Sequence, residues 1–204
     1  MKFKSLFIST LMLSSIIYAT PVDTGHAEVS LIKTYSSSDS NTVHLGIKMD
    51  MQEGWHTYWK MGGDSGEPTK LESWQAPGGT LIGELQFPAP HWLPFYETDL
   101  VNFGYEEEIL LPIEVTLPTD FSEESATFSA VASWNVCEQI CIPGEQILNL
   151  TVPVARTQDE SLADPLFAET ERLLPQKNHN ITSIIASAGS RVSLGFESSE
   201  AVFD

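Results

Sequence analysis

Along residues 126–136 the side chains alternate. Ala126, Phe128, Ala130, Ala132, Trp134 and Val136 are apolar, and Thr127, Ser129, Ser133 and Asn135 lie between them. A period of two is the mark of a half-buried strand. The same alternation returns where Leu148, Leu150, Val152 and Val154 are interleaved with Asn149, Thr151 and Pro153, after the turn signal Pro143-Gly144. Two such strands joined by a short connection predict a hairpin. Earlier in the chain, residues 27–35 and 42–51 read as strands flanking a serine-rich loop at 36–41, with Val43, Leu45, Ile47 and Met49 as one apolar face. Residues 71–74, 80–87 and 109–117 carry further strand character, and Pro77-Gly78-Gly79 marks a turn. The segment 87–94 holds Pro88, Pro90 and Pro94, which removes backbone donors and restricts it to an edge or a crossing stretch. Short strands at intervals of about 8–12 residues, without alternating helices, predict an all-β sandwich or barrel.

Beyond Ala155 the pattern changes. Asp164-Pro165 is an N-cap and first-turn pair, and Leu166, Phe167, Leu173 and Leu174 leave an apolar stripe on a short helix that Pro175 ends. Residues 180–186 and 191–196 read as one more pair of strands. The chain stops at Asp204 with no closing signal, as a fragment or the start of a second small domain would.

At 204 residues the chain is long enough for one domain whose core needs no covalent support. Its N-terminus begins with basic Met1-Lys2-Phe3-Lys4, continues as an apolar stretch over 6–18 and reaches the small residue Ala19. This predicts a secretory signal peptide at 1–19, too short for a stable membrane span and lacking the cysteine of a lipoprotein anchor. A cut after Ala27 would also remove Gly25-His26, which belong with the mature domain. Nothing after residue 20 approaches a membrane-spanning run, so the processed product is expected to be soluble. The expected division is 1–19 signal peptide, 20–155 main domain and 156–204 extension or start of a second subdomain. The net charge of −18 makes nucleic acid and anionic membranes poor partners, and plain solubility accounts for it.

The chain has two cysteines, both in Trp134-Asn135-Val136-Cys137-Glu138-Gln139-Ile140-Cys141-Ile142-Pro143-Gly144. On a straight strand, residues four apart are about 13 Å from one another, whereas a disulfide needs Cα atoms roughly 4.4–6.8 Å apart. A loop of Glu138, Gln139 and Ile140 folds the chain back and predicts a cross-strand disulfide at a hairpin tip. Cys137 is out of phase with the core face of its strand and Cys141 with Leu148 and Val154, so both sulfurs are expected to point away from the core. As a staple, a ring this small contributes only about 2 kcal/mol, against about 4.7 for a loop of a hundred residues. An exposed bond of this kind is the sort that is reduced and reformed. A small structural bridge is the other reading these residues leave open.

Five stretches, in order, resemble the N-terminal periplasmic domain of the DsbD/ScsB family of membrane thiol-disulfide reductases. They are Gly54-Trp55-His56-Thr57-Tyr58-Trp59, Gly63-Asp64-Ser65-Gly66, Phe87-Pro88-Ala89-Pro90, Asn102-Phe103-Gly104-Tyr105-Glu106 and Cys137-Glu138-Gln139-Ile140-Cys141-Ile142-Pro143. Thr24-Gly25-His26 is similar to the family's mature N-terminus, so the resemblance runs from residue 24 to about residue 155. It implies an immunoglobulin-like antiparallel β-sandwich, to which the pattern adds a short C-terminal helix and extra strands. It also implies a periplasmic domain whose Cys137 and Cys141 accept electrons from a membrane-embedded thiol reductase module. These pass to oxidised thioredoxin-fold proteins, with Cys141 as the sulfur shared with partners. Coupled to its membrane partner, such a domain is a component of a protein-disulfide reductase. The CxxxC spacing looks like the ScsB branch; DsbD itself has a longer gap, so its clients are not carried over. No counterpart of the transmembrane and C-terminal thioredoxin modules occurs in these residues, so the chain alone is not expected to draw electrons from the cytoplasm. No cofactor and no resident metal are expected. Glu138 and Glu145, if close to the thiols, would disfavour the thiolate, while solvated turn carboxylates are the plainer reading.

Two other classes compete. CxxxC also binds copper, and soft thiolates suit Cu(I), but the positions where an oxidase-type dinuclear copper site carries histidine and methionine are Glu145 and Asn149 here. The scattered His26, His44, His56, His91 and His179 form no recognisable zinc set with two cysteines. The aromatics Trp55, Tyr58 and Trp59 read as core with at least one tryptophan buried, and His56 as a surface or hydrogen-bonded buried residue. A non-catalytic sandwich that binds another protein, with the disulfide as a structural bridge, is the second class. Hydrolase and phosphate-loop motifs are missing from the sequence.

Overall fold

In the computed structural model, which describes residues 21–36, 41–94, 100–154, 165–176, 181–188 and 190–198, two antiparallel sheets face one another across a shared apolar core. The expected signal peptide 1–19, Asp164 and Asn180 lie outside the described residues. The first sheet takes β1 (Val22–Asp23), β2 (Ala27–Ser36), β3 (Thr42–Met51), β9 (Glu108–Thr116) and β6 (Leu81–Ile82), in that spatial order. The second has the order β11 (Cys141–Pro153), β10 (Ser125–Cys137), β4 (His56–Gly63), β8 (Val101–Glu106) and β7 (His91–Pro94), with β5 (Lys70–Gln75) also on β10. This is the expected all-β sandwich.

The alternation read along β10 is the burial observed: Ala126, Phe128, Ala130, Ala132, Trp134 and Val136 are buried, and Leu148, Leu150 and Val152 of β11 join them in the core. From the other sheet come Val29, Leu31, Val43, Leu45, Ile47, Met49, Leu111, Ile113 and Val115. Trp134 is the tryptophan fully inside, while Trp55 and Trp59 are partly buried against the same core.

Two expectations about turn and strand need correction. Pro143-Gly144 is not a turn, because β11 runs unbroken through it, pairing Asn135 with Pro143 and Trp134 with Gly144. A proline is tolerated there because β11 is the outermost strand of its sheet, where a ladder donor is dispensable. The strand expected at 80–87 is reduced to Leu81–Ile82. After it the chain follows β9 irregularly, held by Gly83 N donating to Glu114 O at 2.8 Å and Gln86 N to Pro112 O at 2.8 Å. Its apolar residues Ile82, Leu85 and Phe87 still pack on the core, which is why the stretch looked like a strand. Conversely, β4 and β8 are strands in residues whose aromatic and glycine content masked a period of two.

Helix α1 (Pro165–Leu173) lies on the outer face of the first sheet, where Phe167 and Leu166 meet Ile32 and Leu110 in a second, smaller cluster. The carbonyl of Leu173 accepts from Ala89 N at 2.8 Å. The expected stripe is therefore used at its N-terminal end, while Leu173 remains exposed. The last two strands, β12 (Ile181–Ala188) and β13 (Arg191–Ser198), form a separate two-stranded sheet.

Phe128 is fully buried between the sheets and Asn149 is exposed on β11. Phe128→Ala is expected to lower the unfolding free energy by about 3–5 kcal/mol, and Asn149→Ala to change it by less than about 0.5 kcal/mol, as measured by urea titration.

Candidate functional site

The two strands of the long hairpin end opposite each other at their cysteines. Cys137 and Cys141 are a cross-strand pair with Cα atoms 4.1 Å apart and an S–S bond of 2.06 Å. Glu138, Gln139 and Ile140 make the connection, closed by Glu138 N donating to Ile140 O at 3.1 Å. The hairpin-tip disulfide is thus as expected, but its accessibility is not. Cys141 is exposed, whereas Cys137 is 1% exposed. Cys137 is out of phase with Trp134 and Val136, yet it has a strand on either side, with Cys141 across one edge and His56 of β4 across the other. Cys141 opens the outermost strand, whose free edge faces solvent. The expectation of two outward sulfurs is corrected to one exposed and one covered.

The strand that covers Cys137 brings chemistry with it. His56 and Tyr58 are two residues apart on β4 and so share the face of Cys137. Tyr58 is fully buried, and its hydroxyl lies 3.5 Å from Cys141 Sγ and 3.4 Å from His56 Nε2. The rings of His56 and Tyr58 meet edge to face at 5.3 Å between centroids. Burial pushes the Tyr58 phenol above its ordinary pKa, partly offset by a hydrogen bond with Ser65. Burial likewise lowers the His56 pKa, against the pull of Glu106, its partner across β8.

The loop from Gly63 to Thr69 holds the phenol in place. Asp64 N donates to Val101 O at 2.9 Å, and Val101 N returns a bond to Asp64 Oδ2 at 2.8 Å. Ser65 N and Ser65 Oγ both donate to Oδ1 of buried Asn102, each at 3.1 Å. This pins Gly66, with φ of 82°, flat against the Tyr58 ring, where any Cβ would overlap the aromatic carbons. On the opposite side, Gly104 pairs with Tyr58, and a side chain there would run into Thr57 O. At the preceding turn His26 stacks on Trp55 at 3.8 Å between centroids, and Gln52 N donates to His26 O at 3.0 Å.

Residue reading named Cys137 and Cys141 and missed His56, Tyr58, Ser65 and Asn102 as their surroundings. The available signal was the glycine-rich run after Tyr58, which permits a backbone to lie directly on a ring. Glu138 sits in the exposed loop between the cysteines, near Gly54, while Glu145 is four positions down β11 opposite Ser133. There Glu145, Glu67, Pro68, Pro143 and Asn135 line a cavity of about 410 Å³. Among the described residues no three His, Cys, Asp or Glu side chains converge on a point able to hold a metal ion. His44 stands opposite Glu114 in the first sheet and His91 lies on β7, while His179 is outside the described residues.

The family model for the N-terminal part of the thiol:disulfide interchange protein DsbD matches residues 28–153. The chain belongs to that family. Within this DsbD N-terminal family, the solved N-terminal periplasmic domain of ScsB from Proteus mirabilis aligns with a TM-score of 0.58 at 20% identity. The alignment covers 91% of this chain and 69% of that one, a likeness of fold. The reduced N-terminal domain of DsbD from Neisseria meningitidis aligns with a TM-score of 0.35 at 12% identity, over 61% of this chain and 85% of that one. No curated protein matches the sequence. As a DsbD N-terminal domain, the chain is a thiol-disulfide exchange module, and the disulfide at its hairpin tip is its Cys137–Cys141 bond.

After reduction, Cys141 is expected to be alkylated by iodoacetamide at least about tenfold faster than Cys137 in the folded protein, because only the exposed sulfur is open to reagent; peptide mass mapping over time reads the difference. A second expectation concerns pH. The folded His56 pKa lies below its ordinary value of 6.5, so the unfolded chain takes up the proton first as pH falls. The stabilising contribution is fully present above that ordinary value and is lost as pH falls through it toward the folded pKa. His56→Gln is expected to lose less stability than the wild type between about pH 7.5 and about pH 5.5 in paired urea titrations.

Proposed function

We propose that the chain is a periplasmic carrier of two electrons. It receives them at Cys137–Cys141 from a membrane-embedded thiol reductase module and delivers them to oxidised thioredoxin-fold proteins. The observation that carries this reading is the asymmetric disulfide, in which one sulfur is open to a partner's thiol and the other is sheltered behind it. The family match supports the chemistry. The basic and apolar residues of 1–19 support export, and among the described residues no helix is long and apolar enough to cross a membrane. Residues 20–155 hold the exchange site, and 156–204 form an extension whose helix rests on the first sheet.

The exchange proceeds through Cys141. A donor thiolate attacks Cys141 Sγ, the S–S bond breaks, and Cys137 leaves as a thiolate and takes a proton. The donor's second thiolate then attacks its own first sulfur. The donor is oxidised to a disulfide, and Cys141 is released as a thiolate. In the outward half, the Cys141 thiolate attacks a partner's disulfide and Cys137 resolves the mixed disulfide. Two electrons and two protons move in each half.

Incubating the oxidised protein with an excess of a reduced thioredoxin-fold protein, then alkylating, is expected to label both cysteines. An inert structural bridge stays unlabelled, and that outcome would sink the proposal. Incubated instead with the oxidised form of that thioredoxin-fold protein, whose disulfide the free Cys141 thiolate attacks, Cys137→Ser is expected to accumulate the mixed disulfide at Cys141, and Cys141→Ser to trap at least about tenfold less, as read on non-reducing gels.

A further inference from the structure

A buried phenol aimed at a sulfur is not required by either sheet. Tyr58 is fully enclosed, and its hydroxyl is placed by His56 at 3.4 Å and by the loop that Asn102 anchors through Ser65. A phenylalanine would fill the same core space without the cost of burying a hydroxyl. The group the hydroxyl reaches is the sulfur of Cys141, at 3.5 Å, and a disulfide sulfur is a poor acceptor, whereas a thiolate is a strong one.

We infer that Tyr58 is a positioning residue for the exchange reaction, its hydroxyl donating a hydrogen bond to the thiolate of Cys141 and so making that cysteine the nucleophile and better leaving group. The inference rests on the reading of Cys137–Cys141 as an exchanging pair. In the tautomer that carries its proton on Nε2, the neutral His56 imidazole, 3.4 Å from the Tyr58 oxygen, donates to it and leaves the phenol's own proton to face the sulfur. Burial keeps the phenol protonated at neutral pH, in agreement with the donor role. Tyr58 gives up no proton in the cycle. When the mixed disulfide to a donor is cleaved, Cys141 Sγ departs with the bonding electrons and the Tyr58 O–H stabilises the charge. The exposed sulfur exchanges its proton with water.

The charged and titratable groups around this position are His56 on β4, Glu106 opposite it on β8, Cys137 on β10 and Glu138 in the hairpin loop. Glu138, in the same hairpin loop as Cys141, carries a carboxylate that works against a thiolate there, and a neutral donor aimed at the sulfur offsets it. Cys137 gains no comparable donor from Tyr58, whose hydroxyl is directed to Cys141.

The test uses the full chain with Cys137→Ser, leaving Cys141 as the single thiol, with and without Tyr58→Phe, which keeps the ring and its packing under Gly66. The pH dependence of iodoacetamide alkylation gives the pKa of Cys141. Tyr58→Phe is expected to raise that pKa by about one unit and to slow alkylation near neutral pH about tenfold. His56→Phe is expected to produce a smaller shift in the same direction. Equal pKa values in the two proteins, with equal unfolding midpoints, would overturn the inference. A readout without substitution at Tyr58 is the ¹³Cζ resonance of that residue, expected to titrate with the midpoint of Cys141; a resonance that ignores the thiol's ionisation also overturns it. No partner protein is present in these measurements. A shifted pKa in a protein that fails to exchange with thioredoxin-fold proteins would therefore remove the proposed function and leave the role of Tyr58 standing.

Discussion

Unbroken antiparallel pairing between β10 and β11, from Ser125 opposite Pro153 to Cys137 opposite Cys141, is what places the disulfide. The register is locked by burial. Phe128, Ala132, Trp134 and Val136 on one strand and Leu148, Leu150 and Val152 on the other must all face the same core. A slip of one residue would turn every one of them to the opposite face, so the pairing has no low-energy alternative. Because the ladder is continuous, the core positions control the tip at a distance of several residues. A rigid two-stranded ladder thus fixes both sulfurs at the end of the sheet without a flexible loop to position them.

At the tip, each cysteine has its own surroundings because the sheet is asymmetric there. β11 is an outer strand, whereas β10 has β5 along part of its other edge and β4 at its end. The residue at the end of the inner strand is covered and its partner is open. Chemical differentiation of two sulfurs joined to each other therefore follows from strand order alone, before any charged group is considered. β4 adds the polar contacts: His56 beside Cys137 and, two residues on, Tyr58 reaching Cys141. The glycine-rich loop after β4 completes the enclosure by pressing backbone against the phenol ring, a contact that only a residue without a side chain allows.

The helix has a different part in the architecture. β9 is buried at five consecutive positions, Ile109 to Ile113, which a strand covered on one face alone would not be. Three of them, Ile109, Leu111 and Ile113, face the sandwich core, and Leu110 on the other face is met by Phe167 of α1 together with Ile32. The first sheet is thereby covered on its outer side at Ile32 and Leu110, while the second keeps the free strand and the hairpin tip that bear the cysteines. The exchange site and the helix lie on different sheets, so α1 packs away from the sulfurs.

Period-two alternation over 126–136 and 148–154, together with a spacing of four between cysteines, sufficed for the all-β class, the hairpin and the disulfide, because each is a local consequence of which face of a strand must be dry; the choice of sandwich over barrel came from the family resemblance. The proline-rich stretch before β7 was legible as an edge for an equally local reason, the missing donors. Tertiary structure alone decided that Pro143-Gly144 belongs to an outer strand, that 80–87 shortens to two residues and that Cys137 is buried, since each depends on which strand lies alongside. That His56, Tyr58, Ser65 and Asn102 gather around the cysteines was likewise decided by the tertiary structure, the glycine-rich run after Tyr58 signalling only that backbone can lie on its ring. These residues are separated by up to some eighty positions from the cysteines they surround, and only the packing of β4 between β10 and β8 brings them together.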